Sequence, residues 1–478
     1  MGTHTMNSSR QQAVRAIMAL LPKISDENLV RLTHLSQLLT ADTETLRAIA
    51  KVRHCLQTPG HPARELFRRV LDRLPAKRRV RLFETLFNGA WFAGNTLRSR
   101  AETELGFRPP FIMILSPTYD CNLRCRGCYT LGYGKRPDLP LEKVDQLLDE
   151  CEKLGICFVT ILGGEPLVYP PLFAMFERHP SIFFQVYTNG TLMTRESAKR
   201  IAELGNTAVV ISIEGDEKET DAWRGKGVYR GIMKAFEYLN AERLIIGTSA
   251  TVTRRNVNVV SSFQFIDHMI SLGSLAQMYF LSVPVNGAAD FSLMVTPQQR
   301  NHLRKQVMAV RNSRPIFVLH FWNDGNYVQG CIAGARRYFH VNALGDVEPC
   351  VYTHIATDNI WEKPLAEALN SRLFRHIRSI QPHNQNHLRP CMIIDNPHVM
   401  RAVIRQVSPR FTHPGAEEIY TVKKSEMDAY AERWGKLADE IWKMEYLNEE
   451  VRQGMPCTGR AAAAGNPAHE APSASLIR

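Results

Sequence analysis

The sequence predicts an α/β protein: a partial parallel (β/α)6, TIM-like barrel over residues 107–314, an N-terminal all-helical domain before it (1–106) and a small cysteine-bearing lobe after it (315–400). Three observations carry this. Strand-like runs at Phe158–Leu162, Phe183–Tyr187 and Ala208–Ile211 each end in a short polar loop. Each loop is followed by helix-like sequence, at Leu172–Arg178, Arg195–Leu204 and Tyr229–Leu239. Strand, loop and helix repeated in that order imply parallel strands with right-handed crossovers. The flanks differ: the first hundred residues show hardly any strand signal, and a new pattern of hairpin and cysteines starts near Pro315.

In the front region, helical periodicity runs through Ala13–Leu21, Leu29–Leu39 and Leu46–Leu56. Leu66, Phe67, Val70, Leu71 and Leu74 then share one helix face, as do Leu82, Phe83, Leu86, Phe87 and Ala90. Residues 51–100 hold twelve Lys or Arg against three Asp or Glu, a surplus of nine that supplies most of the formal +12. Two readings stand. The apolar faces pack on the barrel and the charges are solvated, or a basic amphipathic surface lies on an anionic membrane. The aromatic residues fall on the apolar faces instead of interleaving with the basic ones, so nucleic acid is not indicated as a partner.

With 478 residues, 44% hydrophobic and 22% charged, the chain has ample material for a core. Ten cysteines without an apparent signal peptide argue for reduced thiols and metal ligands, hence a cytoplasmic protein. No run approaches the ~20 continuous apolar residues of a membrane span. Any membrane association is therefore peripheral, at the inner face.

The barrel's first loop, after the strand-like Phe111–Leu115, reads Cys121-Asn-Leu-Arg-Cys125-Arg-Gly-Cys128-Tyr129. Three thiolates at this spacing can hold three irons of a [4Fe–4S] cluster and leave the fourth open. A zinc site would want a second Cys/His pair close by. The next cysteines, Cys151 and Cys157, lead into apolar sequence and read as core positions. The later loops carry Gly163-Gly164-Glu165-Pro166, Thr188-Asn189-Gly190 and Ile211-Ser212-Ile213-Glu214-Gly215. In parallel-strand folds such loops gather on one rim, where ligands bind.

In this order, after this triplet, the motifs resemble the radical S-adenosylmethionine (SAM) superfamily. The resemblance implies that Cys121, Cys125 and Cys128 hold a [4Fe–4S] cluster whose open iron is chelated by the methionine amine and carboxylate of SAM. It implies reductive cleavage of SAM and hydrogen abstraction by a 5′-deoxyadenosyl radical, fed by a flavodoxin- or ferredoxin-type donor. Gly163 and Gly164 would then permit close backbone approach to the methionine. Glu165 would accept from its amine, Pro166 would stiffen the turn, and Asn189, Ser212 and Glu214 would serve its carboxylate and the ribose hydroxyls. Many members carry an aromatic residue immediately before the third cysteine. Here that position is Gly127, so adenine is expected against Tyr129 or the strand Gln277–Leu281.

Past Pro315, Cys331 follows a Gly-rich aromatic stretch, Cys350 closes a hairpin over Arg337–Cys350 that turns at Leu344-Gly345-Asp346, and Cys391 follows Pro390. This resembles the SPASM or twitch extension of radical SAM enzymes, a small C-terminal iron–sulfur lobe. The resemblance makes Cys331, Cys350 and Cys391 ligands of one auxiliary cluster. Its fourth ligand is left among His354, His387, Cys457 and the substrate. Asp324 is the candidate catalytic residue, although Asn-Asp-Gly is also an ordinary turn. A helical segment (401–453) and an Ala/Ser/Pro-rich tail (454–478), expected to be disordered, close the chain.

The expected activity is hydrogen abstraction from an unactivated carbon. Whole-chain similarity to radical SAM proteins that act on membrane lipids, of the tetraether or membrane-spanning lipid synthase kind, joins the basic amphipathic front in pointing to a lipid acyl chain. Carbon–carbon bond formation or a related modification would follow. Maturation of a peptide or a sulfatase is the alternative. Such maturases often carry a small β-containing leader-binding domain, whereas this front reads as helix. An iron–sulfur electron-transfer protein is the third reading, and it would need no methionine site.

Overall fold

The computed structural model describes residues 25–37, 43–285 and 290–447. The expected helix at Ala13–Leu21, the tail and Cys457 lie outside them. Five strands fall where the sequence placed them, β1 (Ile112–Leu115), β2 (Phe158–Ile161), β3 (Phe183–Thr188), β4 (Thr207–Ser212) and β6 (Ala276–Leu281), and between the last two lies β5 (Ile246–Val252), for which no run was singled out. A seventh, β7 (Phe317–His320), continues them. Neighbours pair in chain order and all are parallel. A run such as Thr-Ala-Val-Val-Ile-Ser in β4 is nearly all buried, as a parallel strand covered by helices must be. The intervening helices carry their own stop signals. Arg195–Leu204 opens with a Thr194–Ser197 capping box and ends on Gly205 at φ 70°.

Strand β8 (Tyr338–Val341) pairs parallel with β1 on the side away from β2. With β9 (Asp346–Glu348) it forms the expected hairpin, His340 opposite Glu348, and Gly345 takes φ 85° in the turn. Two short strands, β10 (Ile355–Ala356) and β11 (Asp358–Asn359), follow. β11 pairs with β9, and β10 pairs antiparallel with β12 (Arg410–Phe411). The sheet order is β11-β9-β8-β1-β2-β3-β4-β5-β6-β7, so β11 and β7 are its edges and the barrel is open among the described residues. Because β8 is bonded to β1, the strand that feeds the Cys121 loop, the two cysteine-bearing regions lie side by side.

The front helices (Asp26–Gln37, Thr43–Gln57, Pro62–Arg73, Ala76–Leu82 and Gly94–Leu105, with a π-helical stretch at Phe83–Ala93) sit at the amino-terminal end of the strands. Their charge corrects the expectation of a solvated basic face. Arg69 donates to Pro315 O at 2.6 Å and to Ile270 O and Ser274 O at 3.2 and 3.3 Å. Arg73 donates to Leu244 O, to Gly273 O at 3.2 Å and to Asn240 Oδ1 at 2.6 Å, and Arg78 donates to Glu242 O. Arg243 reaches back to Asp72 O and Arg73 O. Helix ends and the loops before strands leave carbonyls without intrahelical partners, and these guanidinium forks satisfy them. Part of the basic surplus thus clamps the helical domain to the barrel. No helix among the described residues is long and apolar enough to cross a membrane.

Candidate active site

The loops after β1, β2, β3 and β4 meet at one rim. Gly164 N donates to Thr118 O at 2.9 Å and Glu165 N to Asp120 O at 2.8 Å. A Cβ on Gly163, which sits at φ 111°, would fall 2.3 Å from Thr118 O, and one on Gly164 would fall 2.0 Å from Asp120 O. The two glycines therefore let the second loop lie against the first, which fixes the cysteine loop from below. Glu165 is buried. Its Oε1 accepts from Thr188 Oγ1 at 2.6 Å and Leu167 N at 3.1 Å, and its Oε2 from Asn189 N at 2.8 Å. Burial pushes its carboxyl up despite those three donors. A carboxylate has about four lone-pair sites, so one remains for a ligand donor. Asn189 Nδ2 bonds Asn122 Oδ1 at 2.8 Å and lies 4.0 Å from Cys121 Sγ. Ser212 pairs with Ser249 at 3.3 Å on the inner wall.

Glu214 is fully buried and paired with Arg224, Nη2 to Oε1 at 2.7 Å and Nε to Oε2. The same guanidinium places Nη1 3.9 Å from Cys125 Sγ. Sequence reasoning missed Arg224. The available signal was Trp223-Arg224-Gly225 at the end of a helix that Asp216 caps. Tyr129 leans toward the C-terminal lobe, edge-on to Tyr352 (5.9 Å between centroids) and roughly parallel to His354 (6.4 Å). Gly127 takes φ 68°, and a Cβ there would fall 3.1 Å from the Trp223 ring. From the Gln277–Leu281 segment, Met278 and Phe280 line the interior, while Tyr279 turns outward and donates to Val260 O at 2.5 Å.

Cys121, Cys125 and Cys128 act on one another electrostatically, and burial pushes Cys121 up and Cys125 up to about 11. Three converging thiols with Arg224 alongside are a donor set that needs a cationic centre to become thiolates, and an iron cluster supplies one. Cys331, Cys350 and Cys391 form a second such set. The charge of Cys331 reaches both others, and burial pushes Cys350 up to about 12. Tyr338 donates to Cys350 Sγ at 2.9 Å. Asp395 accepts from Cys391 N at 3.1 Å and is itself held by buried Arg300 at 2.5 Å, with the guanidinium 4.2 Å from the Trp434 ring centroid.

Asp324 does not face the interior. Its carboxylate is held by Arg311 at 2.6 Å and by His320 N at 2.8 Å, and the residue lies outside the lining of the main cavity. This corrects the catalytic expectation in favour of the turn. Cys151 is core in the helix Leu141–Lys153, and Cys157 is core just before β2.

One cavity of about 1650 Å³ connects these features. It is bounded at the rim by Cys121, Cys125, Cys128, Gly163, Gly164, Glu165, Asn189, Ser212 and Arg224, and on the lobe side by Cys331, Cys350 and Cys391. It then runs the length of the strands. Ile112, Phe158, Phe183, Ala276 and Phe317, each the first residue of its strand, line it. Beyond them, Leu66, Phe67, Val70, Leu71, Leu74, Leu82, Phe83, Leu86 and Phe87 of the front helices line its far end. The apolar stripes of the front domain face this space. A closed eight-stranded barrel fills its interior with layered side chains; this open one keeps a bore.

Residues 115–258 match the radical SAM superfamily model, and residues 331–392 match that of an iron–sulfur cluster-binding domain, SPASM. The AdoMet-dependent heme synthase of Methanosarcina barkeri is 26% identical over 301 residues, 56% of this chain and 85% of the relative. The mycofactocin maturase MftC of Mycolicibacterium smegmatis is 27% identical over 311 residues, 58% of this chain and 75% of the relative. Among solved structures, Streptococcus suis SuiB bound to S-adenosylmethionine superposes with a TM-score of 0.53 at 17% identity, over 62% of this chain and 75% of SuiB, a likeness of fold.

Proposed function

We propose that this radical SAM enzyme, with its [4Fe–4S] cluster and SAM and its auxiliary iron–sulfur domain, draws a long apolar chain, the acyl chain of a membrane lipid, into its barrel and modifies one carbon beside the Cys121–Cys128 loop. The observation that carries the reading is the bore. At about 1650 Å³, a space shared with SAM and bordered by both cysteine sets, it is larger than the ~300–1,000 Å³ usual for a single compact ligand. Along β3 it spans six residues, roughly 16 Å at ~3.3 Å per step, and the helical layer adds further depth. Its wall is mostly aromatic and aliphatic. A peptide would carry a donor and an acceptor per residue into that wall and find few partners.

Within this reading Cys121, Cys125 and Cys128 hold the first cluster. Glu165 keeps an acceptor site for the amine of SAM, and Asn189 and Ser212 offer hydrogen bonds to its carboxylate and ribose. Arg224, anchored by Glu214, adds a fixed positive charge at the rim. When bound, cluster and SAM supply a primary carbon radical able to take hydrogen from an unactivated carbon. The bore orients the chain and excludes water. Membrane delivery and a flavodoxin- or ferredoxin-type electron donor belong to the same proposal; Val52, Phe87 and Trp91, exposed on the front helices, suit contact with a bilayer.

A second reading, peptide modification, is favoured by the similarity to mycofactocin maturase. One experiment separates the two. The anaerobically reconstituted protein is given reductant and SAM, with either membrane lipid extract or a size-fractionated peptide pool. The lipid reading expects lipid to raise 5′-deoxyadenosine formation and to yield a mass-shifted acyl chain. Stimulation by a single peptide, with no lipid effect, reverses the order.

A further inference from the structure

On the helices that cover the first strands, a group of metal-binding side chains stands apart from both cysteine sets. The helix Leu141–Lys153 carries Asp145, Asp149 and Glu152 at i, i+4 and i+7, so all three lie on one face. The neighbouring helix Leu172–Arg178 ends on His179, whose ring meets that face. The backbone there is fixed. His179 N donates to Met175 O at 3.2 Å, and His179 O accepts from Ile182 N at 3.2 Å and Asn206 Nδ2 at 3.4 Å. His179 is only 5% exposed.

The two ring nitrogens meet different surroundings. Nε2 lies 3.1 Å from Asp145 Oδ1, and Arg178 holds the other oxygen of that carboxylate at 2.5 Å. Asp145 accepts, so it fixes the tautomer with the proton on Nε2 and the lone pair on Nδ1. Nδ1 has no hydrogen-bond partner among the described residues. What faces it is Asp149 Oδ1 at 3.9 Å, and one ligand atom each from His179, Asp149 and Glu152 lie within 4.8 Å of one another. A proton on Nδ1 would not join the group, because 3.9 Å is too long for a hydrogen bond. Glu152 accepts from Ser181 Oγ with Oε1 alone, which leaves its second oxygen. An imidazole lone pair aimed from a buried ring at two carboxylates is completed by a cation rather than by another protein group.

We propose that His179 Nδ1, Asp149 and Glu152 bind one divalent cation of the zinc class, with water in the fourth position. An imidazole nitrogen beside two carboxylates suits Zn²⁺ better than Mg²⁺ or Ca²⁺, which favour oxygen ligands alone. Asp145 is the outer partner, since a metal-binding histidine characteristically gives its other N–H to a carboxylate. Arg178 offsets the charge of Asp145, so Asp149 and Glu152 are left to offset that of the cation. Asp149 is exposed and can swing inward to close the triangle. The cation pins the helix between β1 and β2 to the loop before β3. It supplies no chemistry to the rim, because none of these residues lines the cavity.

The test uses the reconstituted full chain with its iron–sulfur clusters loaded, so that the cluster cysteines are closed to zinc, after a chelator wash. Zn²⁺ is titrated by equilibrium dialysis with metal analysis, and its effect on thermal unfolding is followed in parallel. The wild type should bind one zinc per chain more than the double variant Asp149→Asn, Glu152→Gln. Zinc should raise the unfolding midpoint of the wild type and leave that of the double variant in place. Asp145→Asn should weaken the same zinc about 10- to 100-fold. Mg²⁺ at equal concentration should neither bind nor raise the midpoint. Equal zinc binding by wild type and double variant overturns the site, and so does an equal response to Mg²⁺, which marks an unspecific acidic patch. His179→Gln should match the double variant. If loss of its buried ring unfolds the protein, as circular dichroism would reveal, the double variant at the two helix carboxylates still decides.

Discussion

Ala276 is where the bore can be blocked with least disturbance to the rim. It is the first residue of β6 and lines the cavity, while Leu281, the last residue of β6, lines it near the rim. Five residue steps separate them, roughly 16 Å at ~3.3 Å per residue. Ala276→Trp should fill the bore between the strands and the front helices and leave the SAM end untouched. A chain that no longer passes this point loses burial at about 0.8 kcal/mol per methylene. Each lost methylene therefore weakens binding about fourfold, and six lost together weaken it on the order of a thousand-fold. The assay is competition among saturated acyl lipids of increasing length, read by mass spectrometry of the products. The variant should prefer shorter chains, its long-chain activity should fall, and 5′-deoxyadenosine formation without substrate should match the wild type. An unchanged length preference in Ala276→Trp would refute the claim that the chain threads the barrel.

Four further outcomes are expected. Cys125→Ala should lower reconstituted iron from about eight to about four per chain and abolish 5′-deoxyadenosine, which iron analysis and chromatography check together. Gly164→Ala places a Cβ 2.0 Å from Asp120 O, so the two rim loops must part, and SAM binding by equilibrium dialysis should fall while the auxiliary cluster persists. Arg224→Ala leaves the Glu214 carboxylate buried and unpaired, which should cost about 3–5 kcal/mol in denaturant unfolding; Arg224→Lys should rescue it poorly, since an ammonium cannot reproduce the bidentate fork. Burial lowers His383 from 6.5 to about 4, so the folded state holds it neutral where the unfolded chain takes a proton. Its penalty is absent above pH 6.5 and grows as pH falls toward 4, to roughly 3 kcal/mol. His383→Asn should flatten the acid side of a denaturation-midpoint profile measured between pH 7 and 5.

The sequence by itself determined five of the barrel strands, the rim loops and the two cysteine sets. Each is written locally: apolar runs of strand length, Gly-Gly at a close approach, three thiols in eight residues, and a hairpin turn at Gly345. Side-chain alternation along a strand was equally legible, but whether the inward set fills a barrel or lines a bore depends on strands β1 to β7 facing one another across it, a relation no local pattern contains. Tertiary structure therefore decided that Leu66 to Phe87 face a cavity. It decided that Arg69, Arg73 and Arg78 spend their charge on barrel carbonyls, and that Asp324 is bound to Arg311. It also joined Glu214 to Arg224, ten residues on. Contacts between residues far apart in the chain are set by how helices and sheet pack, and a polar or charged side chain takes its role from the partner that packing delivers.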